Sequence, residues 1–184
     1  ASLFDWVDNI NAAVLGMKIG GKPVDFGVLP CGYVPLDIDT FAMDNSGTAK
    51  EHVGRTYAGV DGYCPLAASL GTQGFCLELA LRPGTQHSAS ETEYNIERVL
   101  PLAAKLTASR IGGQAATPLL FRADSGFDSA KLMCAIGHHA SALAREIAFI
   151  IKWNPRKSPV ETIAAKRVAD ASTLWVSERA GKRE

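Results

Sequence analysis

The chain has 184 residues, with 19 Lys and Arg against 19 Asp and Glu, and 47% of its residues are hydrophobic. That length suits one domain with a buried core, and the balanced charge excludes binding of a polyanion by net charge alone, leaving only local patches for such a role. No stretch is long and apolar enough to span a membrane, and no signal peptide opens the chain.

The cysteines Cys31, Cys64, Cys76 and Cys134 are scattered, without a C-x-x-C pair. They read as reduced, buried thiols of a cytosolic protein. The chain opens Ala1-Ser2-Leu3 and stops soon after an expected strand, so it reads as a fragment.

Leu3, Phe4, Val7, Ile10 and Val14 recur at near-helical spacing, which predicts an amphipathic helix over residues 2–15. A Gly- and Pro-rich connection follows to Gly32. Together these make an N-terminal segment, residues 1–32, ahead of a core at 33–157. Tyr33–Asp39 reads as a strand, with Val34, Leu36 and Ile38 on one side and Asp37 and Asp39 on the other. The polar run Asp44–Lys50 is a loop in which Asp44 suits an Asx turn. Residues 62–70 and 75–82 form a hairpin around Gly71–Gly74. Its second strand alternates Phe75, Leu77, Leu79 and Leu81 against Cys76, Glu78, Ala80 and Arg82.

Ser88 and Ser90 each precede a Glu by three residues, as in a capping box. The helix they open carries Ile96, Val99, Leu100, Ala103 and Leu106 on one stripe, and Pro101 should kink or split it. Residues 118–124 form the next strand, and Ser129 can cap the helix after it. Ile147–Trp153 is a further strand, stopped by Asn154-Pro155. A closing segment, 158–184, starts a helix at Ser158-Pro159 and ends in a strand at Thr173–Ser177. A hairpin followed by alternating strands and helices predicts an α/β fold: a mixed sheet flanked by helices.

Chemistry concentrates at the end of the strand Leu119–Asp124, where Arg122 and Asp124 leave an apolar run. Ligands in α/β sheets sit beyond the carboxyl ends of strands. If the strand bearing Asp39 lies parallel to this one, about 4.8 Å away, the two carboxylates can share a cation. Such a pair suits Mg²⁺ or Mn²⁺. Asp37 shares Asp39's face and is the alternative ligand. A turn or cap role for Asp124 competes with the metal role.

Several of these stretches resemble bacterial insertion-sequence transposases with a DDE catalytic domain, the group-1 transposase DDE family. They are Leu36–Asp39, Asp44–Thr48, Arg55–Tyr63, Leu81–Ser88, Phe121–Phe127 and Ile150–Asn154, in the family's order. The resemblance implies an RNase H-like fold and metal-dependent DNA strand cleavage and strand transfer, with two Mg²⁺ or Mn²⁺ ions in the intact enzyme. It makes Asp39 the first catalytic acid and Asp124 the second. The family's third acid, a Glu on a later helix, has no match: Glu161 follows Ser158 as a capping box would, and Glu178 lacks a helical setting. It is expected beyond residue 184, which would leave the fragment inactive alone. The partners implied are DNA, both element ends and target, and a second copy of the chain; the location implied is the bacterial cytoplasm, at the nucleoid.

Arg122, His87, Lys50, Arg55 and Lys152 are the candidates for phosphate contacts. Each has a plainer reading: Arg122 neutralises the acids, His87 bonds backbone, and the others are solvated charges. Two rival functions stay open, an RNase H-like nuclease without strand transfer and a non-catalytic DNA-binding or assembly remnant.

Overall fold

In the computed structural model the described residues are 18–19, 22–108, 116–155, 161–162, 165, 178–179 and 182–183. Two compact units divide the chain, Ala1–Lys152 and Trp153–Glu184. The expected helix at 2–15, the Ser158-Pro159 helix start and the Thr173–Ser177 strand lie outside the described residues.

In the first unit, β1 (Lys18–Ile19) and β2 (Lys22–Pro23) pair antiparallel within the Gly/Pro-rich connection. β3 (Val34–Thr40) follows, then three short strands, β4 (Met43–Asp44), β5 (Gly54–Arg55) and β6 (Asp61–Tyr63). The hairpin is β7 (Leu66–Leu70) and β8 (Phe75–Ala80). After it come α1 (Thr92–Leu106), β9 (Leu119–Ala123), α2 (Ala130–Ala142) and β10 (Ile147–Ile151). In the second unit β11 (Glu178–Arg179) pairs antiparallel with β12 (Lys182–Arg183).

Five strands make the main sheet in the order β10-β9-β3-β7-β8. β3 is antiparallel to β7 and β7 to β8, while β3, β9 and β10 run parallel. An antiparallel meander thus continues into parallel strands reached through helices, which is an RNase H-like arrangement. The central strand is β3, the one that carries Asp37 and Asp39.

Side-chain alternation on β3 sets the layers. Val34, Leu36 and Ile38 join Leu66, Ala68, Leu70, Leu119 and Phe121 from neighbouring strands in one core. The stripes of both helices, Ile96, Val99, Leu100 and Ala103 on α1 and Leu132 and Ile136 on α2, complete it. α1 and α2 therefore pack on this one face. Full burial of side chains such as Leu36 and Phe121 contributes roughly 1.5–3 kcal/mol each. The opposite face carries Asp37, Asp39 and Arg122.

Several local expectations change. The hairpin does not keep its alternation: Ala68 pairs with Glu78 but Ser69 pairs with Cys76, so Leu77 is an extra residue, a β-bulge. Past the bulge the faces swap. Glu78 is buried, and Leu79 and Leu81 are 60% and 64% exposed. Ser88 and Ser90 do not cap α1; Glu91 occupies that position at φ 58° with no side-chain cap, and Ser129 ahead of α2 makes none either. α1 runs unbroken through Pro101, because burial of its apolar stripe outweighs the lost hydrogen bond. Of the four free thiols, only Cys64 is buried; Cys31, Cys76 and Cys134 are exposed.

Around the loop expected at Asp44–Lys50, the segment between β3 and β7 forms a small antiparallel sheet of order β4-β6-β5. Its backbones touch the Pro83-Gly84 turn so closely that a Cβ on Gly84 would stand 2.2 Å from Gly62 O and 2.3 Å from Gly54 O. Only glycine fits there. The alternating-pattern test misses strands this short.

Candidate active site

β3 and β9 are paired in register, Asp37 opposite Arg122 and Ile38 opposite Ala123. The next step along both strands brings Asp39 and Asp124 side by side on the face away from the helices. Electrostatic repulsion from Asp124 reaches Asp39, whose carboxyl is pushed above the ordinary range by partial burial first and by Asp124 second; the bond from Thr40 N–H works the other way.

Each acid is fixed by one oxygen. Thr40 N–H donates to Asp39 Oδ1 at 2.7 Å, and Gly126 N–H donates to Asp124 Oδ1 at 2.8 Å. Asp124 thereby caps the short 3₁₀ turn Ser125–Phe127, as the cap reading expects, with one of its two oxygens. The second oxygen of each carboxylate accepts no hydrogen bond among the described residues, and neither acid forms an ion pair among them.

Asp37 is placed differently. Arg122 Nε donates to its Oδ1 at 2.6 Å and Nη2 to its Oδ2 at 2.7 Å. This fork occupies both oxygens of Asp37 and two arms of Arg122, so the expected alternative ligand and the expected DNA contact are engaged with each other. Asp37 also holds the Arg122 guanidinium more firmly protonated than usual.

The floor of the strand ends is built by residues that the sequence did not single out for it. Thr40 Oγ1 and Ser88 Oγ are 2.7 Å apart. A Cβ on Gly126 would meet Asp124 Oδ1 and Ser88 Oγ, each at 3.0 Å. The turn after β8 is therefore packed against the residues next to both acids. Tyr57, 71% exposed, donates its hydroxyl to Thr40 O at 3.2 Å and ties the small sheet to the same end of β3.

His87 is exposed in this turn, and its Nδ1 accepts from Ala89 N–H at 3.1 Å. Lys152 follows β10 directly, donates its backbone N–H to Ala123 O at 3.1 Å and is exposed. Arg55 lies on the small sheet paired with Asp61 at 3.3 Å, and Lys50 is exposed in the loop before it. Asp44 accepts from Ser46 N–H at 2.8 Å, an Asx turn, which lowers its carboxyl. Glu161 is exposed in the second unit. Among the described residues no three His, Cys, Asp or Glu side chains form a cluster able to hold a metal, and no helix is long and apolar enough to cross a membrane.

No protein-family model matches the chain, and no curated protein matches it. Among solved structures it is similar to a chain of a piggyBac transposase synaptic complex with hairpin DNA, with 12% identity and a TM-score of 0.38. That match covers 83% of this chain and 29% of the other, so the chain spans less than a third of that protein's length.

Proposed function

We propose that this chain carries part of the catalytic centre of a DDE-type transposase, acting in metal-dependent DNA strand cleavage and strand transfer. The observation that carries the reading is the pairing of Asp39 and Asp124. Two carboxylates stand side by side at parallel strand ends, each with one anchored oxygen and one open oxygen, and among the described residues no side-chain cation pairs with either. The family resemblance of the motifs around them supports the same assignment.

Oxygen donors of this kind fit hard divalent cations. Bound Mg²⁺ or Mn²⁺, a pair of ions in the intact enzyme, would polarise the phosphodiester and stabilise charge on the attacking and leaving oxygens. The residues' own part is to hold position: Thr40 and Gly126 N–H orient the carboxylates, and the Arg122 fork keeps Asp37 from competing for the ion. Phosphate contacts fall to Lys152, His87, Lys50 and Arg55, as local hydrogen-bond donors on a chain of zero net charge. The third acid is to be supplied from outside the described residues, and a second copy of the chain would bring the second DNA end.

Calorimetric titration with Mn²⁺ tests the reading. Wild type should bind, and Asp124→Asn and Asp39→Asn should each weaken binding by at least about tenfold, the range seen when a ligand or its support is lost. Equal binding by wild type and both variants, or none by any, sinks the assignment. Strand transfer, as opposed to hydrolysis, is read by joining of a labelled DNA end to plasmid by the full-length protein.

A further inference from the structure

Arg82 is a buried cation, 6% exposed, and it forms no ion pair among the described residues. Burial of this sort lowers the guanidinium's affinity for its proton and costs stability unless hydrogen bonds replace lost water. Here they do. Nη2 donates to His87 O at 2.5 Å and to Ser90 O at 3.1 Å, and Nη1 donates to Ser88 O at 3.3 Å. Its Nε stays buried without a partner. Both Nη groups are spent on the carbonyls of one turn, residues 87–90, the turn whose Ser88 touches Thr40 and abuts Gly126.

That turn presents His87. Because Nδ1 accepts from Ala89 N–H, the neutral ring carries its proton on Nε2, as a donor facing outward. A ring whose Nε2 is protonated cannot ligate a metal through that atom, but it can donate to an anionic oxygen.

We propose that Arg82 is a positioning residue: through the turn it braces, it fixes the His87 imidazole at the strand ends bearing Asp39 and Asp124, with Nε2–H presented to a phosphodiester oxygen. The inference rests on the DNA-processing reading for its ligand, and on the fold alone for its geometry.

The chain has four histidines, so ¹⁵N-histidine spectra resolve His87, with His87→Gln providing the assignment. The metal-free wild type should show the Nε2–H tautomer at His87. Adding a short single-stranded oligothymidylate with Mg²⁺ should move the His87 signals and leave those of His138 and His139 in place. Arg82→Lys keeps the charge and loses the fork; it should mix the His87 tautomers and weaken oligonucleotide binding about tenfold. His87→Ala should lose as much, and His87→Gln, which keeps a donor, should lose less. Mn²⁺ affinity should stay within about twofold in both His87 variants, since the His87 side chain bonds only Ala89 N–H among the described residues. Should Arg82→Lys fail to fold, Ser88→Ala, which cuts the link to Thr40, should show the same changes in smaller measure.

An Arg82→Lys protein with unchanged tautomer and affinity overturns the proposal. So does a wild type whose His87 signals stay still at saturation, or one that binds no oligonucleotide. The tautomer is read without metal, so its failure sinks the role of Arg82 alone, whereas failure of Mn²⁺ binding sinks the metal-site reading.

Discussion

Arg122 grips Asp37 through two hydrogen bonds of 2.6 and 2.7 Å across the parallel β3–β9 pair, two residues before Asp39 meets Asp124. The side chains are 42% and 37% exposed, so solvent screens the pair. Losing it costs only about 0.5–1 kcal/mol of stability. Its consequence for the site is larger. Asp39 lies on the same face about 7 Å along the strand, within swing of a released Arg122. Asp37→Asn should therefore weaken Mn²⁺ binding, and adding Arg122→Gln should restore it. If Asp37 itself held the ion, the double variant would bind no better than the single one. Calorimetry on the three proteins decides.

Asp39 pays for its position with stability at neutral pH. Its folded-state carboxyl is raised, by burial and by Asp124, so the native chain holds that proton more tightly than the unfolded chain does. Native stability therefore falls as pH rises from the unfolded value, about 3.9 for Asp, through the raised folded value. The penalty is complete above that window and absent below it. Asp39→Asn, which can also donate a hydrogen bond to Asp124, should melt higher than wild type at pH 7 and at the same temperature in acid below the window. Mn²⁺ should raise the wild-type melting temperature and leave that of the variant nearly still, because only a ligand bound to the native state shifts the transition.

Gly126 is small because its neighbours leave no room for a side chain. An added methyl would press on Asp124 Oδ1 and Ser88 Oγ at 3.0 Å and on Ser88 Cβ at 3.1 Å. Gly126→Ala should cost about 1–2 kcal/mol by overpacking and rotate the Asp124 carboxylate away from Asp39. Urea unfolding should show the first effect, and reduced Mn²⁺ affinity the second. Unchanged affinity would mean that Ser88 moves instead.

How much of this was legible in the sequence follows from the range of each interaction. The β3 and β9 strands could be read because alternation and apolar runs are local signals, and Asp39 and Asp124 could be matched because each ends such a strand. The Asp37–Arg122 fork could not, because it depends on register between residues that are 85 apart in the chain. Arg82 looked like one more outward residue of an alternating strand until the bulge at Leu77 inverted that strand. Ser88 looked like a helix cap because its spacing to Glu91 fits the pattern, yet its hydroxyl goes to Thr40. The short strands of the small sheet lack the length on which periodicity depends.

The same bulge puts a carboxylate into the core. Glu78 is 7% exposed, and its Oε1 accepts from Asn95 Nδ2 at 2.9 Å and Arg98 Nη1 at 3.1 Å on α1. Truncating one member of a buried pair strands the other, which costs roughly 3–5 kcal/mol. Glu78→Met should fall in that range by urea unfolding, since Asn95 and Arg98 would both lose an anionic acceptor. Replacing both charges with apolar groups of similar volume is far cheaper. Glu78→Met with Arg98→Met should therefore recover a large part of the loss. If the double variant is as unstable as the single one, the bonds to Asn95, and not the ion pair, hold α1 against β8.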